Sequence, residues 1–144
     1  MKIIAVSGGF DPLHIGHINL FKSAKQLGDK LVVILNSDEW LKAKKGYAFM
    51  PQEERKAVLE AVKYVDEVII THHAEKHEDV SVCRELRKIK PNIFANGGDR
   101  NQNNIPEYDL CEKLGIKMAF NVGGGKIRSS SDLVKKQKEH LKTN

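Results

Sequence analysis

A parallel β-sheet covered by helices, in a single domain, is the fold this sequence predicts. Apolar runs rich in β-branched residues alternate with segments of helical period, the signature of a buried parallel sheet. Glycine-containing turns follow the first, fourth and fifth of these runs, and the length of 144 residues is that of one domain. With 40% hydrophobic and 30% charged residues, the composition excludes a disordered, collagenous or coiled-coil chain.

In chain order, the strands are expected at Lys2 to Ser7, Lys30 to Asn36, Glu67 to Thr71, Asn92 to Ala95 and Lys117 to Val122, giving a five-stranded sheet. Ile18, Phe21, Ala24 and Leu27 recur about one turn apart, so a helix is expected from about His17 to Leu27, with Gly28 as its stop. Pro51, Glu53 and Glu54 open a second helix through Val58, Leu59 and Val62, its acids placed where the helix dipole favours them. Asp79 to Ile89 and Pro106 to Leu114 read as further helices, and the segment holding Lys42, Lys44 and Lys45 reads as a loop. A last helix follows Ser129-Ser130-Ser131-Asp132, and its lysine-rich end reads as a solvated tail.

The balance of 24 basic against 19 acidic residues, a formal +5, suits a phosphate-bearing small ligand as well as nucleic acid. Cys83 and Cys111 are far apart and lack C-x-x-C spacing, which indicates neither a disulfide framework nor a thiolate zinc site. The apolar run before Gly8 is too short for a signal or a membrane span. The expected protein is therefore cytoplasmic, without a membrane partner.

In open α/β sheets, ligands sit at the carboxyl ends of the strands, near the point where strand order reverses. The turns Gly8-Gly9-Phe10-Asp11, Gly97-Gly98-Asp99 and Gly123-Gly124-Gly125 would share that crevice. The first continues into His14-Ile15-Gly16-His17, two histidines three residues apart where loop becomes helix. Backbone amides and the dipole at a helix N-terminus attract anions, so imidazoles added there suit a polyphosphate better than a metal. A catalytic zinc would want a third ligand, and H-E-x-x-H is absent. The bland alternative is a pair of partly buried histidines satisfied by backbone.

Gly8-Gly9-Phe10-Asp11-Pro12-Leu13-His14-Ile15-Gly16-His17 resembles the H-x-G-H signature of the nucleotidylyltransferase superfamily, and Arg128-Ser129-Ser130-Ser131 resembles its second signature at the last helix. The resemblance in element order spans essentially the whole chain. It implies a Rossmann-like sheet with helices on both faces and transfer of a nucleoside monophosphate to a phosphate-bearing acceptor, with Mg²⁺ on the triphosphate. It further implies that His14 and His17 hydrogen-bond the triphosphate at the reacting phosphorus and that Lys44 or Lys45 clamps the same charge. Gly8, Gly9, Phe10, Asp11, Gly16, Gly98, Asp99, Arg128, Ser129, Ser130 and Ser131 fall to the nucleotide. Arg55 and Lys63, two turns apart on one predicted helix face, are candidates for the acceptor phosphate, against the plain reading of surface charges. An acceptor phosphate is already an anionic nucleophile, which accounts for the lack of a catalytic triad.

Members of the glycerol-phosphate type carry an arginine where this chain has glycine in Gly124-Gly125-Lys126-Ile127-Arg128, while Gly97-Gly98-Asp99 is similar to the heptose-phosphate adenylyltransferases. Asn36-Ser37-Asp38-Glu39 and Tyr64-Val65-Asp66-Glu67-Val68 are most similar to the glycerol-phosphate group, which favours CTP over ATP. The rival of another class is a nucleotide- or nucleic-acid-binding module without activity. At 6% aromatic residues, with no basic stripe interleaved along the chain, the nucleic-acid version is weak. His72, His73 and His77, with Glu75, Glu78 and Asp79, superficially resemble a metal cluster but read better as a solvated loop. The resemblance also implies a homodimer, and the loop between Thr71 and Val80 is the segment expected at its interface.

Overall fold

The computed structural model describes residues 1–71, 81–97 and 107–123. Its elements are β1 (Ile3–Gly8), α1 (Ile15–Lys25), β2 (Lys30–Leu35), α2 (Asp38–Lys45), α3 (Gln52–Glu60), β3 (Glu67–Ile70), α4 (Cys83–Ile89), β4 (Ile93–Ala95), α5 (Tyr108–Leu114) and β5 (Lys117–Ala119). The five strands pair in the order β3-β2-β1-β4-β5, every pairing parallel. Strand order therefore reverses at β1, whose carboxyl end lies between those of β2 and β4.

Side chains alternate across the sheet and build two cores. Ile4, Val6, Leu31, Val33 and Leu35 face Phe21 and Ala24 of α1 and Leu59 of α3. Ala5, Ile34 and Phe94 face Val82, Leu86 of α4 and Cys111 of α5. Helices thus cover both faces, and the central strands are buried on both sides as a parallel sheet requires.

Several boundaries depart from the sequence expectation. Helix α1 starts at Ile15 instead of His17 because His14 caps it, and it ends at Lys25 with Gln26 as C-cap. Gly28 is consequently not the helix stop. A Cβ there would stand 2.8 Å from the Lys2 carbonyl oxygen and 2.8 Å from Ile4 Cδ1, so the glycine admits a close approach to β1. Strand β5 ends at Ala119, not Val122, because Asn121 turns into the left-handed region at φ 55°. The segment read as a loop after β2 contains helix α2. The predicted starts of α4 and α5 and the whole last helix fall outside the described residues.

Candidate active site

The His14–His17 pair forms the N-terminus of α1. The Gly16 N–H donates to His14 Nδ1 at 3.1 Å, and the His14 N–H donates to His17 Nδ1 at 3.2 Å. This is a reciprocal cap in which imidazoles take the places that Ser and Glu usually hold. A neutral imidazole whose Nδ1 accepts carries its proton on Nε2, so the cap fixes both rings as Nε2–H donors. The rings stack with centroids 3.8 Å apart, and Phe10, itself in the left-handed region, meets His17 edge-on at 4.9 Å.

Burial first, then the repulsion that a second proton on His14 would add and that of Lys45, hold His17 down to about 3, against its ordinary 6.5. The ring is thus neutral at physiological pH. Helix α1 has no acidic residue in its first turn, whereas α2, α3, α4 and α5 each carry one or two. Its dipole is left without a side-chain anion in the first turn, a setting that favours an external anion at this helix end.

Lys45 ends α2 close enough for its charge to act on His17. Lys44, one residue earlier, points elsewhere: its ammonium lies 5.7 Å from the centroid of the Trp40 ring. Ser37 Oγ caps the helix by accepting from the Trp40 N–H at 3.2 Å, and Gly46 ends it at φ 84°. Those caps, with Asp38 and Glu39 in the first turn and lysines in the last, are local helix signals that the expectation of a loop passed over. Only Leu41 is buried, so no apolar period announces it.

Two expected site residues are taken up by the scaffold, and a third lies off the expected helix face. Arg55 is 1% exposed and donates to Met50 O, Gly9 O and Asn36 O at 2.9, 2.8 and 2.7 Å, and to Asp38 Oδ1 at 2.7 Å. Its guanidinium is taken up by the ends of β1, β2 and α2, which corrects the expectation that it reaches an acceptor phosphate. Asp11 is buried, accepting from the Phe49 and Met50 N–H groups at 2.5 and 2.7 Å, so its carboxylate pins the 46–50 segment. Lys63 does not share a helix face with Arg55: α3 ends at Glu60, and the exposed Lys63 ammonium lies 5.1 Å from the Tyr64 ring centroid.

Gly8 and Gly9 make room for the protein's own side chains. A Cβ at Gly8 would stand 2.9 Å from Phe10 Cζ, and one at Gly9 2.9 Å from Leu41 Cδ2. Burial, reinforced by the nearby charges of Glu107 and Cys83, pushes the Cys111 thiol up to about 11, too high for a thiolate nucleophile at neutral pH. Gly98, Asp99, Arg128, Ser129, Ser130 and Ser131, and the loop with His72, His73 and His77, lie outside the described residues. Among the described residues, no three His, Cys, Asp or Glu side chains come together as a metal cage, and no helix is long and apolar enough to cross a membrane.

With this geometry in hand, comparison with known proteins is informative. The cytidylyltransferase-like family matches residues 5–122. Glycerol-3-phosphate cytidylyltransferase of Bacillus subtilis is 47% identical over 128 residues, covering 89% of this chain and 95% of that protein. FAD synthase of Pyrococcus abyssi is 37% identical over 116 residues, covering 80% of this chain and 75% of that one. Among solved structures, the lipopolysaccharide core biosynthesis protein from Thermoplasma volcanium aligns with a TM-score of 0.67 and 28% identity, over 83% of this chain and 93% of that one.

Proposed function

The chain belongs to the cytidylyltransferase-like family of nucleotidyltransferases, and from that premise we propose that it transfers CMP from CTP to a small phosphate- or phosphonate-bearing acceptor. An acceptor oxygen bonds to the α-phosphorus, the bond from that phosphorus to the bridging oxygen breaks, and pyrophosphate leaves. The observation that carries the reading is the N-terminus of α1, where two imidazoles held as Nε2–H donors stand at a helix end with no acid in its first turn and the charge of Lys45 acts on His17. Such preorganised donors stabilise the charge that develops at the α-phosphate and on the leaving pyrophosphate. No general base is needed, since the acceptor phosphate enters as an anion.

Magnesium fits as a passenger of the triphosphate. Both oxygens of Asp11 accept backbone amides and Asp38 pairs with Arg55, so neither carboxylate is available as a ligand. Phosphate oxygens and water are the usual set for this ion, which would supply neutralisation of the β- and γ-charge. Gly98, Asp99, Arg128 and Ser129 to Ser131 complete the nucleotide site in this proposal, and the homodimer implied by the family resemblance and a cytoplasmic location belong to it.

The FAD synthase relatives favour a second reading in which ATP is the donor. Purified protein supplied with each of four nucleoside triphosphates and a panel of phosphate monoesters, read by pyrophosphate release, separates the two. CTP is the expected donor. Selective use of ATP would replace the first reading with the second, and no release with any pair would leave a binding module.

Between the two lysines, Lys45→Ala is expected to raise the KM for the triphosphate, with a loss that shrinks at high salt because the contribution is Coulombic. Lys44→Ala should do less. The sequence did not order the two; the charge of Lys45 acting on His17, with Lys44 over the Trp40 ring, supports this order. Equal losses, or a larger one for Lys44, measured at two ionic strengths, would reverse the assignment.

A further inference from the structure

Chain-wide, aromatic residues are sparse, yet between positions 40 and 49 Trp40 on one side and Tyr47 and Phe49 on the other flank Lys42, Lys44 and Lys45. The fold ties both ends of this stretch to the Gly9–Asp11 turn that leads into the histidine pair. Trp40 sits on α2 against the β1 turn, its Cζ3 4.0 Å from where a Gly9 Cβ would stand, and Lys44 lies over its ring. The Asp11 carboxylate, three residues before His14, fixes the Phe49 and Met50 amides, so the 46–50 segment is held beside the histidine turn. Despite that anchoring, the Phe49 ring stays 49% exposed and Tyr47 36% exposed.

An isolated exposed apolar residue means little, but aromatic rings grouped beside lysines at the mouth of a phosphate site are the usual lining of a small-molecule pocket. Resting on the transferase reading above, we propose that this rim, Trp40, Tyr47 and Phe49, binds the non-phosphate part of the acceptor, and that this part is an aromatic ring. The lysines of the last turn of α2 supply charge complementary to the acceptor's phosphate, which ties the rings to a phosphate ester and not to a neutral ligand. A polyol phosphate would leave Phe49 and Tyr47 in water, whereas a ring can stack on them and displace that water. The aromatic faces thus select among phosphate monoesters that the histidines alone would treat alike.

The test compares phenyl phosphate with glycerol 3-phosphate in the full-length protein. Pyrophosphate release is measured with CTP and ATP separately, and binding is followed by quenching of Trp40, the single tryptophan. One ring contact is expected to favour phenyl phosphate by about three- to tenfold in kcat/KM. Phe49→Ala should bring the ratio near one, and Phe49→Leu, which keeps apolar bulk and guards against a folding artefact, should leave it in between. A preference for glycerol 3-phosphate, or a ratio unmoved by Phe49→Ala, overturns the proposal. So does loss of self-association in Phe49→Ala with the ratio unchanged, since a second copy of the chain would then be the occupant. If neither acceptor releases pyrophosphate, the transferase reading is decided by the wider panel of monoesters. The rim is then decided by binding: phenyl phosphate quenching Trp40 in the parent and not in Phe49→Ala supports it, and no quenching sinks it.

Discussion

His17→Ala is expected to keep the fold and lower turnover by about a hundredfold or more, the scale for losing one preorganised donor to a developing anion. The fold should survive because the ring's structural duty is small. Its Nδ1 accepts one amide hydrogen bond, from His14, at the end of an eleven-residue helix, and loss of such a cap costs about 1 kcal/mol. His17→Asn separates the two duties, since an amide oxygen can still take the His14 N–H while the donor position changes. Stability should therefore recover more than turnover. Turnover of His17→Ala within a few fold of the parent would remove the histidine pair from the chemistry and return it to a purely capping role.

The same ring sets a pH dependence with a definite sign. Folded, His17 takes up its proton near pH 3; unfolded, near its ordinary 6.5. Between those values the unfolded chain binds a proton that the folded chain refuses, so stability is fully present above about pH 6.5 and falls as pH drops. The slope from this group is at most about 1.4 kcal/mol per pH unit. In the nucleotide-free protein, the His17 imidazole resonance should not titrate between pH 8 and pH 5, and His17→Asn should be less acid-sensitive in thermal melts. A midpoint near 6.5 for that resonance would contradict the burial and the neighbouring positive charges described here.

What the sequence disclosed followed from which physical signals are local. The strands were readable because β-branched runs such as Leu31 to Leu35 are buried on both faces, and their carboxyl ends were misjudged where the chain turns through single residues such as Asn121. The histidine pair was readable because three-residue spacing at a helix start leaves few arrangements. Its reciprocal cap was not anticipated, since imidazole is an uncommon capping group. Choosing between Lys44 and Lys45 requires the rotation of α2, about 100° per residue, and that helix was hidden because its single buried residue, Leu41, makes no period. The internal bonds of Asp11 and Arg55 were not legible for one reason: a charged side chain in a functional-looking turn, or on an exposed-looking helix face, carries no local mark of being buried and bonded.

Arg55 provides the second large effect, on stability. Its side chain is the largest of the fully buried ones, and it joins the β1 turn at Gly9, the end of β2 at Asn36, the start of α3 at Met50 and the first residue of α2 at Asp38. Arg55→Leu would fill much of the volume but strand three carbonyls and the Asp38 carboxylate. Breaking a buried pair by removing one partner costs about 3–5 kcal/mol, and the 25% exposure of the Asp38 side chain argues for the lower end. In a chain of this size that corresponds to a fall in Tm of roughly 10 °C. Arg55→Lys should rescue little, because one ammonium cannot span acceptors that the planar guanidinium meets from separate nitrogens. Pairing Arg55→Leu with Asp38→Asn should cost less than the sum of the two single changes, since the second removes the carboxylate that the first leaves unpaired. The alternative role is distinguishable: a residue that only gripped the acceptor would leave Tm unchanged and raise the acceptor KM alone. With the hub intact, the Gly9 turn and α2 keep Lys45 beside His17. With it broken, the triphosphate KM should rise along with the loss of stability, because the helix that carries the lysine has lost its tie to the turn that carries the histidines.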